Sequence, residues 1–456
     1  MKLKRVLSCV LVVVMLFVTL PLTLIVAQEE GTDVNEEIIR ISTLAEFQEF
    51  AIRVNNGETE LNAKLTADID CNGNSLVAIG NVQSKYAGTF DGAGYTISNF
   101  SIESSDDNQG LFGYCSHATI KNLNASGIKI VGAAYVGGIV GYADNSIIEN
   151  CTNNTEVCAN GNQSGGIVGY SDNSTIVLCT NSGKISGTQY QKGGIVGHAE
   201  SSTIDRCKNE GEVSGGDHSA GIAAYNVNGI VKDCLNTGTI STVGVMYCYT
   251  AGIVANNKGT NSEVKNCLNL GTLSGTGGSS CIVSEIVAGR DSGGTTAVNC
   301  YSIGNNFSGG GGTQVTNEQL ASGEVAWMLN EESAAGVWKL NIDNSDSANS
   351  KPDFVGTVVY KDGDDMVMHT DHSGSTVQPT CSSGVNCSIC GTLLPAISHN
   401  HTVVQYDENQ HWMKCENCVD ITVKEDHQDA DKNHKCDVCT TNVGVHEAAE
   451  DKHICD

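Results

Sequence analysis

Gly137-Gly138-Ile139-Val140-Gly141 recurs as Gly165 to Gly169 and again as Gly193 to Gly197, each copy 28 residues after the last. Weaker copies continue the series at Ala220-Gly221-Ile222-Ala223-Ala224, 27 residues on, and at Ala251-Gly252-Ile253-Val254-Ala255, another 31 on. Gly110-Leu111-Phe112-Gly113 stands 27 residues ahead of the first. A second ladder keeps step as Cys-x-Asn: Cys151/Asn153, Cys179/Asn181, Cys207/Asn209, Cys234/Asn236 and Cys267/Asn269, with Cys300 followed by Ser302. Later in each unit a Gly precedes a β-branched position, as in Gly183-Lys184-Ile185 and Gly211-Glu212-Val213.

These apolar runs are too short for helices, are β-branched, and are bounded by Gly, Asn, Asp and Ser, a pattern that predicts three short strands per unit. Such a unit of about 28 residues is one coil of a parallel β-solenoid. Coils stack about 4.8 Å apart, so each position touches its own equivalent: Ile on Ile, Cys on Cys, Asn on Asn. Asn can bond the next Asn and tolerates left-handed backbone. The glycines are expected to supply positive φ at corners. One coil cannot bury its apolar face alone, so both ends need covers.

Covers are readable on either side. Thr43-Leu44-Ala45-Glu46 reads as a capping box, opening a helix over 43–55 with Leu44, Phe47, Ala51 and Val54 on one face and Gly57 at its end. A strand from Ala63 to Ile69 follows. After the coils a helix is expected over 316–330, with Trp327 and Trp338 near its C-terminal end. From Cys234 to Cys300 the period lengthens to 33, which predicts protruding loops. The organisation read this way is 1–27 signal, 28–87 N-terminal cap, 88–302 coils, 303–360 C-terminal cap or linker, and 361–456 a Cys/His-rich tail.

Composition limits function. The 456 residues carry 25 Lys+Arg against 52 Asp+Glu, a net charge of −27. Nucleic-acid binding needs a basic surface to neutralise phosphates, so no nucleic-acid partner is expected. With 52 Gly but only 4 Pro and 40% apolar residues, the chain is neither collagen-like nor a disordered acidic polymer. Lys2, Lys4 and Arg5 precede an apolar run from Val6 to Ala27, after which Gln28-Glu29-Glu30 turn polar, the form of an export signal. Cleavage after Ala27 is the favoured reading; an uncleaved anchor is the alternative, since roughly 20 apolar residues can span a bilayer. Either places the protein outside the cytoplasmic membrane, extracellular or on the cell surface.

The segment Gly88-Thr89-Phe90-Asp91-Gly92-Ala93-Gly94-Tyr95-Thr96-Ile97, then Gly110-Leu111-Phe112-Gly113, then the glycine repeats, resembles the GLUG-motif repeat proteins of Gram-positive (Firmicutes) and other bacteria, over roughly 41–302. Leu65-Thr66-Ala67-Asp68-Ile69-Asp70 and Leu320 to Asn330 look like segments that accompany such repeats. The resemblance implies an all-β fold, a right-handed single-stranded parallel β-helix of the pectate-lyase-like type, secreted or surface-displayed. It implies no single activity, because such repeats accompany proteins of several functions.

Chemistry on the coils is sparse. β-helix lyases and hydrolases need clustered carboxylates, or carboxylates with Lys or Arg, on one outer face. Across 130–302 the only arginines are Arg206 and Arg290. Asp144, Asp172 and Glu200 stack at 28-residue spacing and read either as solvated turn residues or as a Ca²⁺ or paired-acid ladder. His117 and His198 each stand alone. The cysteine ladder is read as free thiols packing as small hydrophobes, because parallel Cβ vectors one coil apart exceed disulfide spacing. Eleven cysteines fall between Gln28 and Tyr301, so at least one there is unpaired in a monomer.

The tail differs. Cys387/Cys390, Cys415/Cys418 and Cys436/Cys439 are three C-x-x-C pairs, followed by His399, His427 and His446, with His411 and His434 preceding later pairs. Two thiolates at i and i+3 with a nearby histidine suit tetrahedral structural zinc; disulfides and unengaged thiols are the alternatives. Asp429-x-Asp431-x-Asn433 imitates a calcium loop but has His434 and Thr440 where Gly and Glu are required. Cys455-Asp456 stops halfway through a further pair, as a truncated reading frame would.

The favoured function is an exported, non-enzymatic solenoid that contacts host or cell-surface glycans or proteins along its length. A β-helix polysaccharide lyase or glycoside hydrolase is one alternative and a structural spacer rod another.

Overall fold

A computed structural model describes residues 38–369, apart from breaks at 245, 278–280, 292, 308–309, 333–335, 343–344 and 363, and short strands between 385 and 426. The export signal and most of the tail, including Cys387, Cys390, His399, Cys418, His427, His434, Cys436, Cys439 and His446, lie outside the described residues. His411 and Cys415 fall in the strand Gln410–Cys415, which pairs antiparallel with His401–Tyr406. No described helix is long and apolar enough to cross a membrane.

The coils form a parallel β-solenoid with five strands per turn rather than the three expected. One full coil runs through Val140–Asp144, Ile147–Glu149, Thr152–Asn153, Glu156–Ala159 and Ser164–Gly165. We call the five resulting sheets the tyrosine, isoleucine, asparagine, fourth and fifth walls; they hold seven, nine, ten, seven and six strands. The two strands missed by inspection are dipeptides, too short to show alternation. Pairing is parallel and in register: Ile148 faces Ile176, Ile176 faces Ile204, Asn153 faces Asn181.

The repeat glycines have a different role from the one expected. Gly137, Gly138 and Gly141 are absent from the positive-φ positions, which at the corners are held by Asn145, Asn150, Gln163, Asn173, Leu178 and Gln191 at φ of 46–63°. The glycines are needed for space: a Cβ on Gly138 would meet the Gly166 carbonyl and the Asn153 side chain. Likewise the ladder asparagines sit in strands, and other asparagines make the turns.

Those ladder asparagines are fully buried, and their amides bond in a continuous column. Asn153 Nδ2 donates to Asn181 Oδ1 at 2.9 Å, Asn181 to Asn209 at 2.9 Å, Asn209 to Asn236 at 2.9 Å and Asn236 to Asn269 at 2.8 Å. Each Nδ2 also reaches a backbone carbonyl two residues on, as Asn181 does to Gly183 at 2.9 Å. Inside this shell lie columns of Ile139, Ile167 and Ile195, of Val140, Val168 and Val196, and of Ile148, Ile176 and Ile204, all buried. Burying each such side chain contributes about 1.5–3 kcal/mol. The six ladder cysteines from Cys151 to Cys300 are buried and free, and Cys151 Sγ donates to the Glu149 carbonyl at 3.3 Å. A single described disulfide joins Cys248 to Cys281 across neighbouring coils.

At the N-terminal end α1 (Leu44–Asn55) opens with the expected capping box at Thr43 and Glu46. It buries Phe47, Phe50, Ala51 and Val54, and leaves Leu44 only half-buried. Phe47 and Phe50 pack on Phe90 at centroid distances of 6.3 and 5.7 Å. The strand expected from Ala63 to Ile69 is two, Asn62–Leu65 and Ile69–Asp70. The expected C-terminal helix is also two, α2 (Asn317–Ser322) and α3 (Glu324–Leu329), because Gly323 adopts a left-handed φ of 86° between them. These helices do not lid the stack. Leu320, Val325 and Leu329 cluster with Trp338, Leu235 and Leu268, on the flank of the asparagine wall. The outward column there is Thr152, Thr180, Lys208, Leu235, Leu268 and Tyr301, turning apolar where the helices pack. Phe307, by contrast, packs on the main core near its last coils.

The longer period enlarges the corner between the fourth and fifth walls. Ile240–Gly244, Cys248–Ala251, Leu273–Gly277 and Cys281–Ser284 extend there, with Val243, Met246 and Tyr247 exposed and the disulfide tying the two layers.

Replacing Asn181 by Ala should strand the amides of Asn153 and Asn209 in a dry column and cost about 2–3 kcal/mol. Lys184→Ala, an exposed ion-pair residue, should stay within about 0.5 kcal/mol. Denaturant unfolding of both variants compares the two.

Candidate functional site

In each strand of the tyrosine wall the first and fourth residues face the core, and the third and fifth face out. The outward third position repeats as Tyr114, Tyr142, Tyr170, His198 and Tyr225, in register. Their rings form one stack, with centroids 4.6, 4.8, 4.6 and 5.3 Å apart. Spacing by the coil rise leaves ring faces against one another and turns edges and hydroxyls outward. Lys85 closes the first face, its Nζ 4.4 Å from the Tyr114 centroid.

The outward fifth position brings Asp144, Asp172 and Glu200 together beside the rings, as the sequence spacing predicts. None of the three has a salt-bridge partner among the described residues. Tyr170 Oη donates to Glu200 Oε2 at 2.7 Å. Burial, then the Glu200 and Asp144 carboxylates, raise the Asp172 carboxyl above its ordinary range.

A bank rises along one side of this column. Positions 141, 169 and 197 lie so close to the preceding coil's turn that a Cβ on Gly141 would stand 2.6 Å from Asn108 C, one on Gly169 2.5 Å from Tyr135 C, and one on Gly197 2.7 Å from Ser164 N. The third glycine of each motif therefore draws the fifth-wall turn over the tyrosine wall and makes a groove. Tyr135 stands on that bank, edge-on to Tyr142 and Tyr170 at 5.6 and 5.5 Å.

The ring column was missing from the sequence reading, although its signal stood one residue beyond each glycine motif: Gly141-Tyr142, Gly169-Tyr170, Gly197-His198. Lys192 was missed as well. It replaces Ser164 and Ser219 in the inward column of the fifth wall, is wholly buried, and donates to the Gly161 and Tyr190 carbonyls at 2.8 and 3.2 Å. Burial pushes its ammonium down to about 8.

The two lone histidines differ in setting, His198 being stacked within the wall and His117 exposed on a turn. His198 stacks between two tyrosines, and its Nδ1 lies 3.3 Å from Gln191 Oε1. Ser116 Oγ lies 3.1 Å from His117 Nδ1 and donates to Asp144 Oδ2 at 3.0 Å. Ser116 thus bridges the His117 ring and the Asp144 carboxylate. Among the described residues no group of three His, Cys, Asp or Glu side chains is placed to hold a metal ion.

Burial lowers the His198 pKa from 6.5 to about 4, against the Glu200 carboxylate, which raises it. The unfolded chain takes up that proton near 6.5 and the native one only near 4, so this contribution to stability is lost as pH falls through that window. His198→Tyr keeps the stack without the proton, and its Tm should fall less than the parent's between pH 7 and 4.5.

The family description "The GLUG motif" matches residues 132–157, which span the first full glycine repeat. No curated protein matches the chain. Among solved structures, an IgA1 protease is similar at 18% identity and a TM-score of 0.42, over 57% of this chain and 21% of that one. This chain therefore spans about a fifth of that protein's length. A candidate immunoglobulin A1 protease from Bacteroides ovatus is similar at 16% identity and a TM-score of 0.40, over 70% of this chain and 92% of that one.

Proposed function

We propose that this is an exported, non-enzymatic binding protein whose tyrosine wall holds an extended neutral or amino-bearing glycan chain along the solenoid axis. The observation that carries the reading is the groove itself: five rings stacked one per coil, with the carboxylates of Asp144, Asp172 and Glu200 beside the middle three. A coil rise of about 4.8 Å is comparable with the length of one extended sugar residue. Successive sugars would therefore meet equivalent groups, with phenol hydroxyls exchanging hydrogen bonds with sugar hydroxyls and the three carboxylates accepting from them. Polyanionic glycans are disfavoured, because Asp144, Asp172 and Glu200 face them on a chain of net charge −27. Repetition suits adhesion, where many weak contacts add along one axis.

A glycan array probed with the purified protein tests this. Neutral and amino-sugar oligomers should bind and polyuronates should not. The Tyr142→Ala/Tyr170→Ala pair should weaken binding by roughly tenfold or more, each ring being worth about 0.5–1.5 kcal/mol. Binding that survives the double substitution would assign the stack to packing alone and favour the spacer rod.

For the tail we propose structural zinc held by the three C-x-x-C pairs and their histidines. Metal analysis with thiol counting should find bound zinc and chelator-released thiols; metal-free disulfides would replace this reading.

A further inference from the structure

A cleft of about 630 Å³ opens at the N-terminal end of the same groove. It exists because the fifth wall has no full strand at this level: only Gln109 bridges to Val136, and the segment 76–83 stands in its place. The cleft borders the first strands of the tyrosine wall through backbone contacts. Gly80 lines the cleft, and its carbonyl accepts from Tyr114 N at 3.3 Å. Asn108 lines it too, and its backbone is what a Cβ on Gly113 or Gly141 would strike.

The chemistry of the lining is one-sided. Asp106 and Asp107 present exposed carboxylates, and no Lys, Arg or His lines the cleft. Val77 and Val82 form an apolar shoulder, 73% and 57% exposed. Apolar faces with acceptors and no cation suit a sugar that brings hydroxyl or ammonium donors. At the far side Asn55 of α1 closes the cleft: its Nδ2 donates to the Ala78 carbonyl at 3.0 Å and its Oδ1 accepts from Gly80 N at 2.8 Å.

We infer that this cleft is an end-recognition subsite, seating the terminal neutral or amino sugar of a glycan whose following residues lie along the tyrosine wall. The inference rests on the glycan reading above and adds polarity to it: the chain is bound by its end as well as along its length.

The test uses the full chain with two probes, soluble chitohexaose, N-acetylated or deacetylated, and insoluble chitin, whose ends are scarce. Val82→Trp fills the cleft from an exposed position, and Asp106→Ala removes one acceptor; circular dichroism verifies the fold of each. Val82→Trp should weaken hexaose binding by tenfold or more and Asp106→Ala by severalfold, while retention on chitin is unchanged. Unaltered hexaose affinity in both variants overturns the end subsite and leaves groove binding intact. Parallel loss on both probes also overturns it, since the cleft would then not read ends. If the unsubstituted protein binds neither probe, the groove reading falls for this sugar class and the end subsite with it.

Discussion

Everything in the solenoid depends on each residue lying over its own equivalent one coil away. The buried amide column from Asn153 to Asn269 enforces this most strictly, because a carboxamide in a dry core must find both a donor and an acceptor; the neighbouring amide and its own turn supply them from Asn153 to Asn236, and Glu285 with Ser302 takes the last donor at Asn269. A slip of one residue would leave every amide unpaired and turn each wall inside out. The isoleucine and valine columns supply most of the burial energy, but a hydrophobic contact tolerates sliding and an amide chain does not. The same register aligns Tyr142 with Tyr170 and Asp144 with Asp172 on the outside, so the groove is a by-product of how the core is kept in step.

What could be read from residues alone follows from this. Repeats at 28 residues declare the coil, and the capping box at Thr43 declares α1, because both are local signals. The dipeptide strands were hidden because a two-residue strand has no period. The glycines misled for a physical reason: in sequence, a residue that must bend the chain looks the same as one that must let another chain approach. The outward tyrosines are hard to read from sequence because Tyr142, Tyr170 and His198 differ in kind and follow the glycine motif instead of belonging to it. The split at Gly323 and the lateral docking of α2 and α3 required the tertiary contacts of Leu235 and Leu268, whose apolar character in an otherwise polar column was the available hint.

The groove and its terminal cleft together describe a surface that is acidic, aromatic and directional. Its carboxylates lie in a line at coil spacing, and at the N-terminal end of that line Ser116 links Asp144 to His117. A surface built of equivalent steps distributes affinity along its length instead of concentrating it at one point.

The flank-docked helices divide the stack into two zones. Coils carrying Leu235, Leu268 and Tyr301 are committed to one lateral neighbour and cannot change in number without tearing that seam. Coils between Cys151 and Cys207 meet only copies of themselves. A gene that gained or lost whole 28-residue units there would lengthen or shorten the outer track while the α1 cap and the flank seam stayed intact, so reach becomes a trait that unequal recombination can tune without inventing a single new contact.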